Sequence, residues 1–229
     1  DTDTDTDTDV TGAQVRVTHL ASDVPGVDIY VNLSEEAAND APLEFNNGTP
    51  YLSLDAGTYD FDVNVAGAGP STAPLTLAGV DLADGDKFTV TAIGTLADDD
   101  FPLTAVTLDD SSEGLQSGVF RLRVVHAATA VGNVKVWNLS DPDAEPSVLL
   151  EDYAYGSENA VVELPFGEYT VGFDVQPADG TPELVFSLPE ITVNDVVNLY
   201  AVSNVAGDVY LAAQLPDGTV ATINADAAE

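Results

Sequence analysis

His19 and His126 are the only two histidines in the chain, and each ends a strand-like run, Val15-Arg16-Val17-Thr18-His19 and Leu122-Arg123-Val124-Val125-His126. An imidazole moves protons near neutral pH, so these two side chains are the first candidates for general acid or base chemistry. Their setting points elsewhere. Side chains alternate across a strand, so each His shares a face with apolar residues while Arg16 or Arg123 points the other way. The expected role is structural, a core imidazole bonded to backbone or hydroxyl groups. Arg16 and Arg123 stand at equivalent places among very few cations, and each is expected to pair with a carboxylate across its sheet. No Gly-x-Ser-x-Gly elbow, His-Glu-x-x-His pair or phosphate-cradling glycine loop is present, and there is no Cys to supply a thiolate. With no catalytic residue to name, the chain reads as a non-enzyme.

Carboxylates are the other chemistry on offer. Asp5, Asp7 and Asp9 have the odd spacing of a calcium loop, but Val10 stands at the sixth position where such loops need Gly, and no Glu closes it. Asp98-Asp99-Asp100 forms a second oxygen-rich cluster. Calcium at these six residues is therefore the one ion the sequence suggests, with no cofactor required. Solvated acidic turns account for the same residues.

Forty Asp and Glu against five Lys and Arg give a net charge of −35 over 229 residues. That field repels phosphates and anionic surfaces, which excludes nucleic acid as a partner. It suits a salty medium, where a Debye length of about 8 Å or less softens self-repulsion. No apolar run is long enough to span a bilayer, so no membrane insertion is expected. The chain begins at Asp1 and contains no Met, as signal-peptide cleavage would leave it. An extracellular or cell-surface location is the expectation.

The elements that must position these residues are short strands. Alternating runs at Val15–His19, Val27–Val31, Tyr51–Leu54, Thr58–Val65, Leu75–Val80, Lys87–Ile93 and Leu103–Leu108 are separated by turn residues, with Ser34–Asp40 a loop or one helical turn. The pattern then recurs. Val27-Asp28-Ile29-Tyr30 returns as Val134-Lys135-Val136-Trp137, at the same 107-residue offset that separates the two histidines. Leu54 and Gly57 return as Leu164 and Gly167. The predicted fold is all-β, two tandem immunoglobulin-like antiparallel β-sandwiches behind an extended N-terminal leader. The divisions are an acidic Asp/Thr leader at 1–12, one sandwich at 13–112, a linker at 113–117 and a second sandwich at 118–229. The acidic run Asp109–Gly114, lying between the two copies, reads as a short linker whose length permits close packing of the domains.

The run Arg16-Val17-Thr18-His19-Leu20-Ala21-Ser22-Asp23-Val24-Pro25-Gly26-Val27-Asp28-Ile29-Tyr30-Val31 resembles the bacterial family catalogued as domain of unknown function 4397. Leu54-Asp55-Ala56-Gly57-Thr58-Tyr59 and Phe88-Thr89-Val90-Thr91-Ala92-Ile93-Gly94-Thr95 fit its later turn and strand. The second repeat keeps Arg123-Val124-Val125-His126-Ala127 and departs at Asn133 and Ser203, as a drifted member. The resemblance implies a secreted or cell-envelope β-domain, and it brings no catalytic residues.

Two roles follow. In the first, the chain is a non-enzymatic exported subunit of an extracellular filament or surface assembly, partnered head-to-tail by copies of itself. Strict alternation puts Thr2, Thr4, Thr6 and Thr8 on one face of the leader, which with Val10 could add as a donated strand to a neighbour's sheet edge. In the second, the chain is a monomeric cell-surface adhesion or glycan-binding module, with Trp137, Tyr153 and Tyr155 as candidate exposed aromatics.

Overall fold

The computed structural model describes residues 12–70, 74–141, 143–158, 160–175 and 180–227. The proposed leader strand (Thr2, Thr4, Thr6, Thr8, Val10) and the leader carboxylates Asp5, Asp7 and Asp9 lie outside them. The described chain is all-β. The first half holds β1 (Ala13–His19), β2 (Val27–Val31), β3 (Asn47–Gly48), β4 (Leu52–Leu54), β5 (Gly57–Val65), β6 (Leu75–Leu82), β7 (Lys87–Ile93) and β8 (Thr104–Asp109). The second holds β9 (Val119–Ala127), β10 (Val134–Asn138), β11 (Ser147–Tyr153), β12 (Ala160–Pro165), β13 (Gly167–Asp174), β14 (Leu184–Ile191), β15 (Val196–Ser203), β16 (Val209–Gln214) and β17 (Val220–Asn224). Ser34–Asp40 is irregular loop and forms no helical turn.

Each half is a two-sheet sandwich. In the first, β1, β7 and β8 form one sheet, with β3 and β4 both on the outer side of β1, and β2-β5-β6 form the other. In the second, β12-β9-β15-β16-β17 faces β11-β10-β13-β14. One feature lies beyond the reach of alternation: the first strand of each half pairs in parallel with the seventh-position strand, β1 with β7 and β9 with β15, while the other ladders are antiparallel. The strand faces sort as their patterns require. Val15, Val17, Ile29, Phe61 and Val90 fill the first core, and Leu122, Val124, Val136, Phe173 and Leu199 the second.

A third apolar cluster joins the halves. Leu20, Ile93, Val106 and Leu108 of the first half pack on Val125, Ala127, Tyr200, Val202 and Tyr210 of the second. The back of the β1-β7-β8 sheet therefore lies on the back of the β9-β15-β16 sheet. All eight residues of β15 are buried, because one face serves its own core and the other serves this seam. A strand covered on both faces can carry the near-continuous apolar run Val196-Val197-Asn198-Leu199-Tyr200-Ala201-Val202.

The seam is reciprocal. Arg16 and Arg123 sit at the same place in β1 and β9. Arg16 Nη1 donates to Leu215 O at 2.6 Å, and Arg123 Nη2 lies 3.7 Å from Asp109 Oδ2. Asp109 follows Leu108, the ladder partner of Thr89, just as Leu215 follows Gln214, the partner of Asn198. Thr89 and Asn198, themselves equivalent, touch at 3.3 Å, and so do Thr91 and Tyr200 at 3.1 Å. Equivalent residues meeting each other, with the flanking contacts exchanged, is the pattern of an isologous dimer, here within one chain.

Candidate functional site

The polar heart of the seam surrounds Arg16, which is buried. Its guanidinium Nη2 lies 3.2 Å from Asp110 Oδ2 with neither side chain exposed, and Nε donates to Thr89 Oγ1 at 2.7 Å. Asp110 also accepts from Thr89 Oγ1, from Tyr51 Oη at 2.6 Å and from Asn198 Nδ2 at 2.9 Å. A buried carboxylate so supplied with donors meets the requirement that buried charge be paired and hydrogen-bonded. The Tyr51 ring lies under both Arg16 and Lys87, 4.6 and 4.8 Å from their charged groups, and Lys87 reaches Asp195 of the second half at 3.1 Å. Burial, then the Asp110 charge, pushes the Tyr51 phenol well up. Asp110, assigned to the linker by its acidic neighbours, is thus a seam residue. The arginines do find carboxylates, but at the seam: Arg16 meets one at the end of β8, and Arg123 meets one from the other half.

The histidines are core residues. His19 Nε2 sits 3.2 Å from both Val24 O and Pro25 O, while its Nδ1 accepts from Ala21 N at 3.4 Å. His126 repeats this with Gly132 O at 2.8 Å and Ala128 N at 3.4 Å. A carbonyl on one side and an N–H on the other require the proton on Nε2 and an unprotonated Nδ1, so each ring is held neutral. Burial lowers both pKa values in the same sense.

Asp98–Asp100 does not converge on a metal: among the described residues no group of three or more His, Asp or Glu is placed to hold an ion. Asp98 Oδ1 instead accepts from Asp100 N, and Asp98 N donates to Thr95 Oγ1. That turn presents Phe101, whose ring packs edge-on against Tyr155 at 4.8 Å across the seam. The aromatics proposed for glycan contact are occupied as well. Tyr153 is buried and donates to Val124 O at 2.7 Å, Tyr155 also packs on His126, and Trp137 lies under the Lys135 ammonium at 4.6 Å.

One open feature is a lateral groove in the first sandwich, about 300 Å³, between β2 and β4. Its floor is Val15, Val17, Ile29, Leu52 and Phe61, and its rim is polar, with Asn39, Asp40 and Thr49. The corresponding place in the second sandwich, lined by Leu122, Val124, Val136, Val162 and Val171, retains about 20 Å³, because Leu149 and Leu150 of β11 enter it. The two halves spend this stretch differently. In the second, β11 pairs with β10. In the first, Asn39 caps the β2 edge as a strand would: Oδ1 accepts from Ile29 N at 2.8 Å and Nδ2 donates to Val27 O at 3.1 Å. Backbone bonds from Ala38 N to Ile29 O and between Val27 and Leu43 complete that edge, and Leu43 enters the core, but the loop supplies no consecutive pair of leucines as β11 does, so the groove stays open.

The family described as Domain of unknown function (DUF4397) matches residues 13–137, more than half of the chain. The chain belongs to this family. The matched DUF4397 segment spans the whole first sandwich with its groove, and ends at Trp137 in β10. No curated protein matches the sequence. Among solved structures, the DUF4397 chain is similar to a streptococcal virulence factor described for alpha-glucan binding, at 11% identity and a TM-score of 0.27, over 82% of this chain and 93% of that one. It is similar also to the Bacillus anthracis TIE protein, at 10% identity and a TM-score of 0.23, over 95% of this chain and 46% of that one.

Proposed function

We propose that this DUF4397 chain is a non-enzymatic structural module, exported to the cell surface or beyond, and a subunit of a filament or surface assembly made of copies of itself. We propose also that its second sandwich is a diverged tandem copy of the first. The observation that carries the structural reading is the seam. A two-domain binding module keeps its domains mobile unless their interface is large and apolar. Here an apolar cluster and a buried ion pair with its hydrogen-bond partners lock the sandwiches into one body, which suits a subunit that transmits position along an assembly. Commitment of both histidines to backbone groups supports a non-catalytic role. An adhesion module is the weaker alternative, because Tyr153 and Tyr155 are used inside the molecule.

The joint between subunits is assigned to the alternating leader, Asp1–Asp9. Electron microscopy of the full chain in molar salt, beside a chain lacking residues 1–9, tests this. Ordered assemblies that disappear on deletion are the expected outcome, and assemblies unaffected by deletion would refute the leader as the joint.

A further inference from the structure

We infer that the lateral groove of the first sandwich is a docking seat for an extended peptide that presents leucine-class side chains and carries no carboxylates. Independently of any assembly role, the second sandwich shows which side chains fit: the same framework accepts Leu149 and Leu150 from a strand paired to β10, whereas in the first the matching β2 edge is already held by Ala38, Asn39 and Leu43, leaving the apolar floor without that leucine pair. The groove in the first sandwich is apolar at the floor and hydrogen-bonding at the rim, the usual make-up of a specific seat. It also runs beside β4, the last strand on that side of its sheet among the described residues, whose outer edge can pair with an incoming backbone.

Charge restricts the occupant. Asp40 stands on the rim, and Glu35, Glu36 and Glu44 belong to the same loop. An acidic strand would be repelled there, so the Asp/Thr leader, with a carboxylate at every second residue, is a poor fit. A neutral or basic aliphatic segment of another chain fits both floor and rim.

The probe is a fluorescent synthetic peptide, Ser-Val-Leu-Leu-Lys-Asn-Tyr, which keeps the leucine pair of β11 and replaces its two carboxylates. The control has Ser for both Leu. Saturable binding to the full chain, at least about tenfold tighter than the control, is expected from burial of two leucines. Only four isoleucines occur, so methyl NMR locates the site: Ile29 should shift, while Ile191 and Ile223 of the second sandwich hold still. Substituting the exposed mouth residues, Ala38→Leu with Ala41→Leu, should fill the groove and abolish binding with the fold intact. Equal binding of both peptides, binding without an Ile29 shift, or no binding at all would overturn the inference. An Ile29 shift with octanol but with neither peptide would overturn it in favour of a small apolar ligand. Peptide binding by a chain that never assembles would leave this seat standing and remove only the assembly reading.

Discussion

Arg16 and Asp110 form an ion pair of 3.2 Å from which water is excluded, placed where the backs of two sandwiches meet. Each charge depends on the other. Removing one strands its partner in a low-dielectric seam, a change that costs about 3–5 kcal/mol. Arg16→Ala should therefore lower the melting temperature by roughly 6–20 °C in a chain of this size. The double change Arg16→Met with Asp110→Leu removes the stranded charge and should recover part of the loss, but not all of it, because Thr89, Tyr51 and Asn198 lose the acceptor they share. Urea titrations of the unaltered chain and the two variants read both effects.

The close approach of the halves at Gly218 gives a second prediction. Its φ is +91°, and a Cβ there would lie 2.5 Å from Thr49 O, a backbone atom of the first sandwich. Gly67 has a similar φ of +78° with nothing within 4 Å. Gly67→Ala should cost about 1 kcal/mol from backbone conformation alone, and Gly218→Ala about 1–3 kcal/mol more. Equal losses on denaturation would remove the contact at the seam as the cause.

The histidines fix a pH response. Burial lowers both pKa values in the folded chain, so the unfolded chain binds the extra protons. Their contribution is fully present above the unfolded value of about 6.5 and is lost as pH falls through the lowered folded values. Proton NMR should show both rings titrating below 6.5, with the tautomer protonated on Nε2. A ring titrating above 6.5 would contradict the neutral core assignment.

Tyr155 offers a test of what a half-buried aromatic is doing. Burial pushes its phenol up to about 12, and its hydroxyl has no hydrogen-bond partner among the described residues. Tyr155→Phe should leave stability within about 1 kcal/mol or raise it, since no bond is lost. Tyr155→Ala should cost about 3–5 kcal/mol by opening a cavity beneath Phe101 and His126. A glycan array should read the same for wild type and Tyr155→Phe.

How much of this was legible follows from where the signals are local. Period-two alternation located β1, β2, β5 and β7 and correctly turned Arg16 away from His19, because strand geometry is a property of neighbouring residues. It gave no sign of β11: Ser147-Val148-Leu149-Leu150-Glu151-Asp152-Tyr153 does not alternate, and a register shift next to Val136 lets consecutive leucines serve one groove. Nor did it separate Asp110 from the acidic residues beside it, since its burial comes from Arg16, Tyr51 and Asn198, between 59 and 94 residues away. The groove was equally hidden, because it exists only by contrast between halves. The parallel β1-β7 and β9-β15 pairs are long-range choices that no window of sequence encodes.

The mass of the full chain in solution, followed by sedimentation velocity in molar salt over a range of concentrations, tests the central claim most directly. An assembling structural subunit predicts mass that grows with concentration and salt, as screening relaxes the repulsion of a chain carrying −35 charges. A single monomeric species at every concentration and salt would contradict it.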